Sequence, residues 1–214
     1  MAITTYTELK AAIVDWSARS SLSDKADEFI DLTESMFRRP YSHPTQQRIG
    51  GLRANKTRTT GTLTSGTNSL TLPSDFLELD RLTLTADNLT LEWVPVERLA
   101  QITLSGTGQP RYFTVEDAIY FDRTPDSDYA YGLSYWPQPT ALSDSNTTNW
   151  VLTNYPDVYL AGCIYWASRY KQDIEMATTW AQQYKDAVSL ASMAYARGRV
   201  SQGPISIQYE GSTP

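Results

Sequence analysis

Residues 155–167 of the chain read YPDVYLAGCIYWA and form its clearest helical signal. Pro156 stands where a helix begins, because a first helical residue does not use the N–H that proline lacks, and Asp157 places an acid in the first turn. From Val158 to Ala167 the segment is apolar on nearly every side of a helix. Such a helix must be enclosed by other elements, so the stretch predicts the centre of a helical bundle.

Helical periodicity near both ends of the sequence supplies partners for this central helix. Apolar residues recur at helical spacing over 7–19, where Thr7 is the predicted N-cap, and over 22–40, where a proline stops the pattern. Beyond the central helix, a regular apolar stripe predicts a long helix over about residues 173–197, which Gly198 would end as a C-cap. We therefore expect the N-terminal and C-terminal helices to pack together.

The middle of the chain has the composition of β-structure. Ten threonines lie between Thr57 and Thr90, and short alternating runs are separated by turn residues. We predict three hairpins, a short helix at 95–102 and a last strand along 129–135, with all strands in one antiparallel sheet. The hairpins are expected to join 59–64 to 69–72, 81–85 to 89–94, and 111–115 to 118–122.

Helices at both ends with strands between them predict an α+β fold. We expect residues 1–56 and 150–198 to form the helical bundle, residues 57–149 to form an inserted β-rich region, and residues 199–214 to form an extended C-terminal tail. In that tail, alternating apolar residues read as a single strand with no partner in the sequence.

The composition limits the possible classes of function. Hydrophobic residues make up 41% of the 214 and charged residues 20%, which is ordinary globular usage and excludes general disorder. One Cys and one His exclude an internal disulfide and the usual zinc ligand sets, so we expect no metal and no cofactor. No signal-peptide pattern opens the sequence, and its longest apolar run is too short for a bilayer; we expect synthesis in a cytoplasm and no membrane partner.

Candidate catalytic groups are few. His43 lies in a predicted loop, and Cys163 lies on the enclosed helix, where a thiol serves as inert packing. The pair Gly106 and Gly108 begins like a dinucleotide-binding loop, but a strand follows instead of a helix. We predict no catalytic residues, and we do not expect an enzyme.

Three acids, Asp122, Asp126 and Asp128, have spacing reminiscent of a calcium loop. They lack the glycine and the distal glutamate of an EF-hand, so we interpret them as a solvated loop rather than a metal site.

Charge is unevenly distributed along the chain. No acid occurs between Glu34 and Asp75, and this segment contains six bases. The rest of the chain contains the other twelve of the 18 bases and all 24 acids. This polarity suits a contact between copies of the chain or with an acidic partner. Nucleic-acid binding is an alternative that a pI near 4.8 disfavours, and a basic loop without a partner is another. The residues proposed for an inter-subunit contact are Arg48, Arg53, Lys56 and Arg58.

Four segments resemble the head-to-tail adaptor (connector) proteins of tailed bacteriophages, particularly short-tailed ones. The resemblance spans about residues 6–197 in the same order, and it departs from the family where PYSHP, residues 40–44, interrupts the second helix. The segments are Asp15-Trp16 with Arg19, residues 24–32, LPSDFLEL at 72–79, and YPDVYLAG at 155–162.

The resemblance implies a non-enzymatic virion protein at the head–tail interface. Such adaptors form a ring of identical subunits, commonly twelve, below the portal protein. The ring joins the portal to a tail or nozzle protein and gives a channel for the phage DNA, which passes without sequence-specific binding. We expect the C-terminal tail to contact the portal and to add its strand to a sheet edge. The residues predicted for that contact are Arg199, Val200, Ile205, Ile207 and Tyr209.

Two functions of other classes stay open at this point. One is a receptor-binding or glycan-binding tail protein, for which the 25 aromatic residues, 12% of the chain, would provide platforms. The other is a carboxylate-only cell-wall glycosidase, which needs only two acids at a spacing set by the fold. Neither has a positive sequence feature in its favour, so the adaptor is the preferred hypothesis.

Overall fold

The computed structural model describes residues 2–18, 20–39, 51–102 and 106–199. Six α-helices and eight β-strands are formed by these residues, which confirms the α+β class. The helices are α1 (Tyr6–Trp16), α2 (Ala26–Phe37), α3 (Val96–Ile102), α4 (Trp150–Asn154), α5 (Pro156–Tyr170) and α6 (Ile174–Arg199). The strands are β1 (Thr57–Leu63), β2 (Ser69–Thr71), β3 (Phe76–Leu84), β4 (Leu89–Thr90), β5 (Glu92–Trp93), β6 (Tyr112–Val115), β7 (Ala118–Phe121) and β8 (Tyr129–Pro137).

Helix α5 is the enclosed helix that the sequence predicts. It begins at Pro156, and every side chain from Val158 to Ile164 is buried. Helices α1, α2, α4 and α6 all contact it. At Gly162 the absence of a side chain lets α5 approach Thr33 of α2, because a Cβ there would overlap the threonine Cγ2 and lie 3.0 Å from its Oγ1.

Helices α1 and α2 end about three residues before the predicted positions, at Trp16 and Phe37, and three further details of the helix ends differ from the predictions. Helix α1 is capped by Thr5 rather than Thr7, because the Thr5 hydroxyl accepts from Glu8 N while the Glu8 carboxylate accepts from Thr5 N. A 3₁₀ helix, Ser20–Lys25, precedes α2, so the α-helix itself starts later than predicted. Helix α6 continues through Gly198 to Arg199, and Gly198 does not adopt the positive φ of a C-cap.

The strands form two sheets, so the expectation of one antiparallel sheet is wrong. The first sheet has the order β1-β8-β3-β4 and the second has the order β2-β7-β6-β5. The predicted hairpin of 59–64 with 69–72 does not form, because β1 pairs with β8 and β2 pairs with β7. The intervening turn crosses between the sheets and is held by the loop before β8, through Gly66 N to Pro125 O and Ser65 N to Asp128 Oδ1.

The other two hairpins form, one of them only in part. Strands β6 and β7 pair as predicted. Strand β3 pairs with β4 for two residues, after which the chain moves to the second sheet and β5 runs parallel to β6. The second sheet is therefore mixed rather than antiparallel. Strand β8 and helix α3 lie where the sequence predicts them.

Buried apolar side chains form two clusters. One is built on the helices, around residues such as Ile30, Tyr159 and Tyr184, and the other lies between the two sheets, around residues such as Leu133 and Phe113. The hydrophobic effect thus holds each layer of elements around its own core. The division into bundle, insertion and tail, with the boundaries given above, stays a prediction.

Candidate assembly surfaces

The only cysteine of the chain is a packing residue. Cys163 is fully buried on α5, and its Sγ lies 3.7 Å from Phe29 O and 3.5 Å from Thr33 Oγ1. Burial raises the pKa of the thiol to about 12. The thiolate is the nucleophilic form of cysteine, and burial disfavours it here. The position of Cys163 inside the helical core confirms the packing interpretation.

The prediction that Asp122, Asp126 and Asp128 lie in a solvated loop is wrong for one of them, Asp122. Asp122 is buried and accepts hydrogen bonds from Arg111 N and Tyr112 N at 3.0 and 3.1 Å, so it holds the start of β6. Asp126 and Asp128 are exposed and accept hydrogen bonds within or beside their own loop. Across the described ranges, no group of three His, Cys, Asp or Glu residues could hold a metal ion.

Several predicted site residues lie outside the described residues. They comprise His43, Arg48, and the portal-contact candidates Val200, Ile205, Ile207 and Tyr209. Of the portal-contact set, the backbone of Arg199 is described, and it is the last residue of α6. The tail proposed to reach the portal therefore continues directly from the end of this helix.

Arg53, a member of the basic segment, is buried and makes its contacts within its own chain. Its side chain is only 8% exposed, and its guanidinium donates to Phe37 O, Arg39 O and Leu52 O at 3.1–3.2 Å. Its Nε also lies 2.6 Å from Glu78 Oε2 on β3. The guanidinium thus satisfies carbonyls at the C-terminal end of α2 and ties the bundle to the first sheet.

Lys56 makes a second connection of the same kind. Its Nζ lies 2.6 Å from Asp80 Oδ1 and 5.2 Å from the ring centre of Trp136. Tyr195, near the end of α6, packs edge-on against Trp136 and donates its hydroxyl to Lys56 O at 3.3 Å. The C-terminal part of α6 is therefore fastened to the first sheet.

The remaining predicted member, Arg58, belongs to an open, polar sheet face. Arg58 on β1 and Arg81 on β3 are both in register with Ser134 of the central strand β8, so the three side chains share one face. Both arginines are exposed. They line a groove of about 440 Å³ whose other walls are mostly threonines of β1, β3 and β4. We call this surface the arginine face.

An apolar surface lies at the α5–α6 end of the bundle. Large side chains at the ends of three helices are exposed there, and Lys171 Nζ reaches Ser17 O at 3.4 Å, which holds the end of α1 beside the α5–α6 turn. The exposed residues are Trp16, Tyr170, Ile174 and Met176. Exposed apolar side chains grouped in this way mark an interaction surface.

A buried carboxylate fastens the connection from β8 back into the bundle. Glu34 on α2 is 7% exposed, and its Oε1 accepts from Leu142 N and from the Tyr159 hydroxyl, both at 2.9 Å. Asn149 donates to the same hydroxyl at 2.7 Å and caps α4. Burial raises the pKa of Glu34, the charge of Asp31 raises it further, and the two hydrogen bonds and Arg38 lower it.

Replacing Glu34 by glutamine should change how stability depends on pH. Because the folded state holds the proton of Glu34 more tightly than the unfolded state, the wild type loses unfolding free energy as pH rises from about 4.5 through the raised folded pKa. The glutamine variant lacks this loss, so its stability relative to wild type should improve between about pH 5 and pH 8. Urea unfolding of both proteins at pH 5 and pH 8 measures this change in relative stability. A difference in unfolding free energy that is the same at both pH values would contradict the raised pKa of Glu34.

These surfaces are exposed faces of a chain organised around two apolar cores: the arginine face on the first sheet and the apolar surface at the α5–α6 turn. A family model described as SU10 adaptor protein matches residues 4–208, nearly the whole chain. The chain belongs to this family of bacteriophage head–tail adaptors, which confirms the resemblance seen in the sequence. No curated protein matches the chain. Within the described part of the chain, none of the helices has both the length and the apolar character to cross a membrane.

Sequence reasoning did not identify the second arginine of the arginine face. Arg81 stands in the segment LELDRL among acids, so its charge is not visible in a count along the chain. The register of three strands brings it opposite Arg58. The alternation of β3 was the available signal, because it places Arg81 and Thr83 on one face.

Proposed function

We propose that this chain forms a ring of identical subunits, commonly twelve in the family, below the portal, and that the ring joins the portal to a tail or nozzle protein. The observation that carries the proposal is the family match over residues 4–208. In this role the chain acts in the virion through its surfaces and catalyses no reaction. The phage DNA passes through the lumen of the ring without sequence-specific binding.

A closed ring requires each subunit to use two different surfaces, one for each neighbour. Of the basic segment proposed for such a contact, Arg53 and Lys56 already pair with acids of β3. Arg58 is exposed and has no carboxylate within 4.0 Å among the described residues. Arg58 therefore supports an inter-subunit role most directly, and the other two serve the integrity of the subunit.

The portal contact is assigned to the tail after α6. With 26 residues, α6 is about 39 Å long, so the tail starts far from the α5–α6 turn. The exposed apolar residues at that turn, among them Ile174 and Tyr170, lie at the other end of α6 from the start of the tail. This arrangement supports the phage tail or nozzle protein, rather than the portal, as the partner of the apolar surface.

Deleting residues 200–214 should abolish binding to the portal protein of the same phage and leave the fold intact. The deletion keeps α6 to its last residue and keeps every described side chain of the two apolar clusters. Binding is measured by co-sedimentation of the chain with purified portal, and folding by circular dichroism and urea unfolding.

A matched pair of variants tests whether the apolar or the polar residues of the tail contact the portal. Replacing Ile205, Ile207 and Tyr209 by serine should weaken portal binding, because apolar side chains on one face of an added strand supply its specificity. Replacing Ser206 and Gln208 by alanine should leave it unchanged. Portal binding by the deleted chain at full strength would overturn the assignment of the tail.

A further inference from the structure

The arginine face concentrates positive charge that none of the described carboxylates neutralises. Arg58 and Arg81 flank Ser134 from opposite sides, which places their Cα atoms about 10 Å apart across β8. In the described residues, no carboxylate lies within 4.0 Å of either guanidinium, whereas Arg53, Lys56, Lys10, Lys25 and Arg123 all have such partners.

The position of Arg58 is set by a glycine on the neighbouring strand. A Cβ added to Gly132 would lie 2.5 Å from Arg58 Nη2 and 2.8 Å from its Nε, so the guanidinium lies flat across Gly132. Thr83, in register with Gly132 on the other side, donates its hydroxyl to Gly132 O at 3.2 Å. Part of the entropy cost of binding is removed when a guanidinium already lies in place, so this face is ready for a planar anion such as a carboxylate.

Of the two pairs of neighbouring acids in the chain, one has no cationic partner among the described residues and fits this face. Two pairs of consecutive acids occur in the sequence, Asp27-Glu28 and Glu116-Asp117. Asp27 pairs with Lys10 and Glu28 pairs with Lys25. Glu116 and Asp117 form the exposed turn between β6 and β7, where Asp117 accepts the Tyr120 hydroxyl at 3.0 Å. Neither acid has a cationic side chain within 4.0 Å in the described ranges.

We propose that the arginine face of one copy binds the Glu116-Asp117 turn of the next copy through charge-assisted hydrogen bonds. The proposal rests on the proposed ring and names the residues of its head-to-tail contact. The two surfaces belong to different sheets of the same subunit, so each copy offers one to each neighbour, as ring closure requires. Duplex DNA is a poorer partner, because the whole chain has a net charge of −6.

Charge reversal tests the contact with the full chain and its portal. Ring formation on the portal is scored by electron microscopy and native mass spectrometry. The double variants R58E/R81E and E116R/D117R should each reduce assembled rings at least about a hundredfold, since every contact then joins like charges. The control R98E/R169E makes the same change in net charge as R58E/R81E, at exposed arginines elsewhere, and should assemble like wild type.

Mixing the two double variants in equal amounts gives the decisive result. Each contact then joins an acidic face to a basic turn or a basic face to an acidic turn, so an alternating ring with an even number of subunits should form again. The quadruple variant, with both surfaces reversed, should also assemble. Circular dichroism of each variant shows that the fold is retained, and the rescue itself requires folded subunits.

The outcomes separate this contact from the proposed function. Absence of rings from the wild-type chain on its portal would overturn the proposed ring and this contact with it. Rings formed by wild type and by R58E/R81E alike would overturn the contact and leave the adaptor role standing. Failure of the mixture to assemble, or loss of binding to a short DNA duplex in R58E/R81E without loss of rings, would also overturn it.

Discussion

Replacing Gly162 by valine is expected to destabilise the fold by about 3 kcal/mol or more, one of the two largest effects that we predict. Gly162 is buried on α5, and an added Cβ would overlap Cγ2 of Thr33 on α2. Thr33 cannot turn away easily, because it is fully buried and its hydroxyl donates to Phe29 O at 2.7 Å. The two helices would have to separate, which opens the core around Cys163.

A double-mutant cycle isolates this contact. Gly162→Ala alone should be destabilising by about 1–3 kcal/mol, because one methyl group already meets Thr33. Adding Thr33→Ala removes both the Cγ2 and the Oγ1 that oppose the new methyl group. At position 162, alanine also has a helix propensity about 1 kcal/mol better than glycine. The double variant should therefore recover much of the lost free energy in urea unfolding. Additive effects of the two substitutions would contradict the proposed close approach.

The second large effect concerns Arg53. Its replacement by alanine should destabilise the chain by about 3–5 kcal/mol, because three carbonyl oxygens lose their donor and Glu78 loses its partner. Arg53→Lys keeps the charge but cannot serve four acceptors spread over a planar guanidinium, so it should recover only part of the loss.

A surface ion pair provides the control for Arg53. Lys25 and Glu28 lie 2.6 Å apart on the exposed side of α2, and Lys25→Ala should cost only about 0.5 kcal/mol. Both variants remove one cation and one ion pair, so the comparison measures what burial and the carbonyl contacts add. Equal losses for Arg53→Ala and Lys25→Ala in urea unfolding would show that Arg53 does not fasten the bundle to the sheet.

Much of the helical architecture could be predicted because local pattern and burial agree. The apolar run after Pro156 specifies an enclosed helix irrespective of its neighbours, and α5 is buried as expected. The short turn at Glu116-Asp117 likewise fixes its own hairpin. In these places the information needed is contained in a few consecutive residues.

The sheets were harder to predict because their pairing depends on distant segments. The turn after β1 has the residues of a hairpin loop, but it is held by Pro125 and Asp128, far away in the sequence, and crosses to the second sheet. A turn sequence alone does not report which strand lies beside it. The same reason hides the arginine face, which exists only through the register of β1, β8 and β3.

The sequence of charges reveals the basic segment but not the contacts that its residues make. Six bases without an intervening acid indicate a contact, yet Arg53 is buried against main-chain carbonyls and Lys56 is paired across to β3. Asp122 shows the opposite error, since an acid in a polar loop proved to be a buried main-chain acceptor. Burial of a charge depends on its three-dimensional partners, which a linear count does not include.

We propose above that this chain assembles as a head-to-tail ring that joins the portal to the phage tail. Cryo-electron microscopy of the purified chain mixed with its portal tests it most directly. We expect one closed ring of identical chains stacked on the portal, in which each chain contacts two neighbours through different surfaces. Chains that stay monomeric beside an unoccupied portal, or that bind it singly without touching one another, would contradict it.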